Sequence, residues 1–95
     1  MNIFQTKLLV AIEAAQALGV RQSRLAQNIE RFGAVAAVKD YFQKARPTDG
    51  FDELARRGRL DLSAEAIAVS HHTEFTDEEI NHCFSLLCAE GYYKA

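Results

Sequence analysis

The stretch "SHHTEFTDEEINHC", residues 70–83, gathers all three histidines of the chain, one of its two cysteines and four carboxylates within fourteen positions. Imidazole, thiol and carboxylate groups ligate transition metals and move protons, so an enzyme or a metal protein of this sequence would do its work here. The spacing argues otherwise. A strong metal reading needs C-x2-C or H-x3–5-H pairs, whereas His82 would have to reach His71 or His72 across a turn. Thr76 and Glu79 instead spell the S/T-x-x-E capping box, in which the Thr76 hydroxyl accepts from the Glu79 N–H and the Glu79 carboxylate accepts from the Thr76 N–H. Phe75 and Ile80 supply the accompanying hydrophobic staple. Asp77, Glu78 and Glu79 then lie at the positive end of the helix dipole, worth roughly 0.3–1 kcal/mol each. The local acids are thereby explained as the start of a helix with Ile80, Cys83, Phe84 and Leu87 on its inner face. His82 falls about 160° from the centre of that face, in water beside Glu78, a pair that would hold a surface metal only weakly. No catalytic, metal-binding or cofactor-binding residue is expected, and the chain reads as a non-enzyme.

Other chemistry is scarce. The chain contains no G-x-G-x-x-G, Walker-type loop, G-x-S-x-G or Cys-x-x-Cys motif, which closes most routes to phosphate cradling or nucleophilic catalysis. The most suggestive polar feature is a ridge of Arg21, Arg24, Asn28 and Arg31, spaced 3, 4 and 3 along one flank of a helix. Three guanidiniums and an amide facing outward together would suit an anion or an acidic partner. The simpler reading is a solvated helix edge that pairs with acids of the C-terminal half. Two helices meeting at Gly33 also suggest a helix-turn-helix. Against it, Ile29 stands where a small residue is usual, and the second helix, AVAAVKDYFQKA, scatters Lys39, Gln43 and Lys44 around its axis. Nucleic-acid binding through the arginine ridge is therefore the alternative function, and a protein partner the leading one.

The elements that must position these groups are helices, since apolar residues recur at helical spacing throughout and no stretch alternates with period two. Phe4, Leu8, Ala11, Ile12, Ala15 and Leu18 form one stripe ending at Gly19. Leu9 and Val10 lie off it, so this helix is either central and contacted on two sides, the favoured reading, or packed on a second copy of the chain. Leu9 and Val10 are accordingly the candidate self-association residues. A second helix is capped by Ser23, carries Leu25, Ile29 and Phe32, and stops at Gly33. A third carries Val35, Val38, Phe42 and Ala45 up to "RPTDGF", where Pro47 ends helix and Thr48, Asp49 and Gly50 supply turn chemistry. Short helices follow at 51–57 and, capped by Ser63, at 64–69. The expected fold is all-α, a compact single-domain bundle of five to six short helices over residues 1–95. Its predicted core is Leu8, Ile12, Leu25, Ile29, Phe32, Val38, Phe42, Phe51, Leu54, Leu60, Leu62, Ile67, Ile80, Phe84 and Leu87.

Composition agrees. Hydrophobic residues make up 48% and charged residues 25% of the 95, enough for a chain of this size to bury about two-thirds of its unfolded surface. The net charge of −2 conceals an asymmetry: residues 21–46 carry six basic against two acidic side chains, and residues 47–95 four against ten. The simplest use of that asymmetry is self-complementation, within or between subunits. Cys83 and Cys88, about 140° apart on a helix, are too badly aimed to bridge and suit a reducing, cytoplasmic compartment. The apolar run Leu8–Ile12 is too short for a secretory signal or a membrane span.

"GAVAAVKDYF", "DGFDEL", "GRLDLSAEAIAV" and "FTDEEINHCFSLLCAEGY" together resemble a small, uncharacterised bacterial all-helical domain, met as hypothetical proteins of unknown function. The resemblance covers about residues 33–93 and is most specific at Gly58–Leu62 with Ser63, and at Phe75–Glu79. Ala64, Ala66 and Ala68 depart from it where longer aliphatic side chains are expected. The resemblance implies an all-helical fold and a bacterial origin, with an orphan mobile gene cassette as a fitting source, and it assigns no catalytic residue.

Overall fold

The computed structural model describes residues 2–93 and contains six α-helices: α1 (Ile3–Ala17), α2 (Ser23–Phe32), α3 (Ala34–Gln43), α4 (Phe51–Arg56), α5 (Ala64–Ser70) and α6 (Asp77–Ala89). Short 3-10 turns occupy Leu60–Leu62 and His72–Glu74, and no β-strand occurs among the described residues. The all-α class expected from the spacing is the observed one.

The ends of these helices follow local chemistry in most cases. The Asn2 side chain accepts from Gln5 N–H to open α1, and Ser63 accepts from Ala66 N–H to open α5. The capping box of α6 is fully formed, with Glu79 N–H to Thr76 Oγ1 at 3.2 Å and Thr76 N–H to Glu79 Oε1 at 2.9 Å. α2 is the exception. Ser23 does not cap it: the helix begins at Ser23 itself, and the Arg24 N–H is satisfied at 3.0 Å by the carboxylate of Asp49, from the loop after α3. Between α2 and α3 the reversal is made by Gly33 alone, at φ 86° and ψ 161°, a backbone conformation open essentially only to glycine. A one-residue corner differs from the three- or four-residue turn of a helix-turn-helix.

The core forms two adjoining clusters, and α1 contributes to both. Phe4 and Leu8 join Leu25, Ile29, Val38, Phe42, Ala68 and Cys83 in the first; Ala15 joins Val20, Phe51, Leu54, Leu60 and Leu87 in the second. Packed on α3 and α5, α1 is the central helix that its wide apolar surface suggested. Ala64, Ala66 and Ala68 are all buried. The small side chains that depart from the resembled pattern bring α5 close against its neighbours. The radius of gyration, 12.0 Å, matches the value of about 12 Å expected of a compact chain of this length. No helix among the described residues is long and apolar enough to cross a membrane.

Two expected core residues are not in the core. Phe32 is 65% exposed and Phe84 47%. Phe32 has the right phase on α2 but is its last residue, and the part of α3 it faces offers Ala36 and Ala37 without the bulk to cover it. Phe84 lies about 100° from Cys83, on the flank of α6, where it stacks on Tyr93 with ring centroids 5.1 Å apart. The inner face of α6 is centred on Glu79, Cys83 and Leu87.

Candidate functional site

The histidine and acid cluster divides once folded. His72 is exposed in the 3-10 turn, while His71 turns an edge toward Phe4 at 6.1 Å and buries its Nε2 without a hydrogen-bond partner. Because the true inner face of α6 is rotated away from Phe84, His82 is not in open water. Half-buried, it leans on Phe42 at 5.9 Å and sets Nε2 3.2 Å from the Arg46 carbonyl oxygen, a geometry in which a protonated Nε2 donates. Among the described residues no group of three or more His, Cys, Asp or Glu side chains could hold a metal ion.

His82 and Glu79 do share a recess of about 420 Å³ with Phe42, Gln43, Thr76 and Glu78. Of its two carboxylates, Glu79 is already committed. Glu79 accepts from Lys39 Nζ at 2.8 Å, Gln43 Nε2 at 3.1 Å and Thr76 N–H at 2.9 Å. Burial pushes the Glu79 carboxyl up, but the bonds from Lys39, Thr76 and Gln43 outweigh it and hold the group below its ordinary range. A carboxylate so saturated is a poor general base, and its role is to lock α6 onto α3. The Cys83 thiol is pushed up by burial and by the Glu65 and Glu79 charges, which makes it inert. Both cysteines are free.

The sequence reading missed Glu65, which is 0% exposed. Its carboxylate accepts from Thr48 N–H at 2.7 Å and Thr48 Oγ1 at 2.6 Å. The available signal was an acid set between alanines in the short helix "AEAIAVS", where only a buried partner explains a face so small. Thr48 leads to Asp49, whose carbonyl accepts from Gln22 Nε2 at 2.9 Å and whose carboxylate caps α2. One buried carboxylate thus holds the loop that holds α2.

That chain of bonds positions the arginine ridge, which the structure brings together in part. Arg24, Asn28 and Arg31 share one outer face of α2, whereas Arg21 precedes the helix and lines a depression with Ile12 and Gln16 of α1. None of the three guanidiniums makes an ion pair with an acid among the described residues; the one pair joining the basic segment to the acidic half is Lys39–Glu79. The expected pairing of the ridge with the acidic half is absent from the described residues. By contrast, the polar groups of α3 are engaged: Lys39 and Gln43 by Glu79, and Lys44 by Asp40 at 3.2 Å. α3 is therefore a poor recognition helix.

Beside the ridge, Asn28 and Phe32 of α2 and Ala36, Ala37 and Asp40 of α3 line an open groove of about 350 Å³. A second apolar feature lies on α1, where Ile3, Leu9 and Val10 are 65%, 42% and 61% exposed. The central position of α1 does not cover them. With these two surfaces the protein is all-α and carries exposed apolar side chains on α1 and α2. Comparison with protein-family models, with curated proteins and with solved structures finds no match to this chain.

Proposed function

We propose that the protein is a non-enzymatic protein-interaction module that self-associates through the outer face of α1. The observation that carries this reading is Val10, 61% exposed at the midpoint of a helix whose opposite stripe forms the centre of the core. Ile3, Val10 and Ala17 recur every seven residues, close to two turns, and so share one side of α1. Antiparallel pairing about a two-fold axis at Val10 brings the Ile3 end of one helix against the Ala17 end of the other, large against small. Leu9 flanks this stripe, and Lys7 and Glu13 give it a polar rim. A bacterial, cytoplasmic setting belongs to the same proposal and rests on the resemblance at residues 33–93 and on the free thiols.

Sedimentation equilibrium tests the reading. The protein is expected to approach dimer mass at high micromolar concentration, and Val10→Asp to return it to monomer with unchanged helicity, because Val10 contributes little to the monomer's core. A strict monomer at every concentration would remove self-association and leave a foreign partner for the same face.

The second reading, nucleic-acid binding through Arg21, Arg24 and Arg31, is favoured by the absence of ion pairs to these three residues among the described ones. If three phosphates are neutralised, log affinity falls with log salt at a slope of about −3. Alanine at the three positions should flatten that slope; a slope that ignores the replacements refutes the ridge.

A further inference from the structure

We propose that the connection between α3 and α4, residues 44–50, is a pH-sensitive latch, closed while the Glu65 carboxyl carries its proton and released, together with the start of α2, when that carboxyl ionises. The connection is lightly built. Lys44, Ala45, Arg46 and Pro47 are exposed, and Ala45 is held in the left-handed region at φ 54°, which is unfavourable for a residue with a Cβ. Thr48, 3% exposed, is the one buried side chain of the connection. Both of its donors, the N–H and the hydroxyl, go to the Glu65 carboxyl.

The proton decides whether that anchor holds. A protonated carboxyl keeps both bonds, since Oε2 still accepts from the N–H and Oε1 shares a hydrogen with the Thr48 hydroxyl. An ionised one is left fully buried with two bonds and, among the described residues, no ion pair, an unfavourable state for a charge. The surrounding groups do not neutralise it. From α6 come the Cys83 thiol, which burial keeps protonated, and His82, which favours the Glu65 charge less than burial opposes it. Glu79 is paired with Lys39, and Asp61 of the Leu60–Leu62 turn with Arg59. In the His72–Glu74 turn His72 is exposed and Glu74 accepts from the Asn2 amide. His71, on α5 itself, turns to Phe4, and the buried face of α1 is wholly apolar. On the connection Arg46 is exposed, with its carbonyl at His82, and Asp49 is held by the Arg24 N–H. Displacing Thr48 lets water reach the charge without any large apolar side chain of the connection leaving the core. Asp49 moves with it, so Gln22 and the Arg24 N–H lose their acceptors.

The test uses NMR on the full-length protein from about pH 4 to 8, following the Glu65 carboxyl carbon shift and hydrogen exchange of the Thr48 and Arg24 amides, corrected for intrinsic rates. Protection at both amides is expected to fall by at least about tenfold, with the midpoint of the Glu65 titration. It should be indifferent to low urea, as local opening is, whereas the Leu8 and Leu87 amides of α1 and α6 should be better protected and exchange by urea-dependent global unfolding. Glu65→Gln, which keeps an acceptor for the Thr48 N–H, should hold both amides closed throughout, and His82→Gln should leave the pH response in place. The proposal is overturned if the Glu65 carboxyl titrates at or below its ordinary range, or if Thr48 and Arg24 share the protection and urea dependence of Leu8 and Leu87. It is equally overturned if Glu65→Gln responds to pH as the natural protein does, or if His82→Gln abolishes the response, which would assign the switch to the histidine. The carboxyl titration and the comparison of connection with core are read on the natural protein and decide the matter even if Glu65→Gln fails to fold.

Discussion

Glu65 is the residue on which most of the unexpected structure turns. Burial is the largest influence on its carboxyl and raises it above the ordinary value of 4.5, with the Thr48 hydroxyl and N–H opposing. The folded state therefore holds this proton more tightly than the unfolded chain does. The stabilising contribution of the protonated form is complete below the ordinary value and is lost as pH rises through the elevated one. Glu65→Gln, neutral and of the same shape, should gain stability relative to the natural protein as pH climbs from about 4 to 8. Urea titrations of both proteins across that range check it, and parallel stability curves would show that the burial of Glu65 costs nothing differential. Thr48 and Glu65 are 17 residues apart, so no periodicity or motif in either segment announces the contact. What the sequence did carry was the anomaly of an acid among alanines. The capping box is the opposite case: Thr76 and Glu79 bond across three residues, within the reach of a local rule.

At the scale of the elements, the six helices and most of their stops were readable because caps and glycines act on their own neighbours. Gly50 adds a tertiary reason to a local one. It opens α4 at φ 82°, and a Cβ there would stand 2.8 Å from Gln22 Cγ and 3.2 Å from Val20 Cγ1. Left-handed strain of about 1–2 kcal/mol combines with overpacking of about 1–3 kcal/mol. Gly50→Ala should thus lower the thermal midpoint by on the order of 10 °C, and because Gln22 packs beside the α2 N-terminus, hydrogen exchange of the Arg24 amide should speed up with it. A variant that melts with the natural protein would show that Gln22 moves aside freely. The start of α2 was not readable from Ser23, since its cap comes from Asp49, 25 residues on from Arg24. Phe84 was misplaced for a related reason: helical spacing defines a stripe, but the neighbours fix its centre, and here Glu79 takes a place inside the face through Lys39 and Gln43.

In the described molecule α1 packs on α3, α5 and the Leu60–Leu62 turn and leaves its outer face open, and the assembly of that face bears on stability. If α1 pairs with a second copy, the thermal midpoint should rise with protein concentration, and Val10→Asp should abolish that dependence while matching the natural protein at the dilute limit. A midpoint indifferent to concentration in the natural protein would argue for a monomer. By itself the sequence determined the helical class, most of the helix boundaries and the start of α6, because each follows from bonds or spacing within one or two turns. Only the tertiary structure decided that Glu65 is buried, that Phe32 stands open over a groove, that Arg24 and Arg31 go without acidic partners among the described residues, and that His82 rests on α3. These depend on which surfaces meet across 17 to 40 residues of chain, and such meetings are set by the packing of whole helices, which no local pattern encodes.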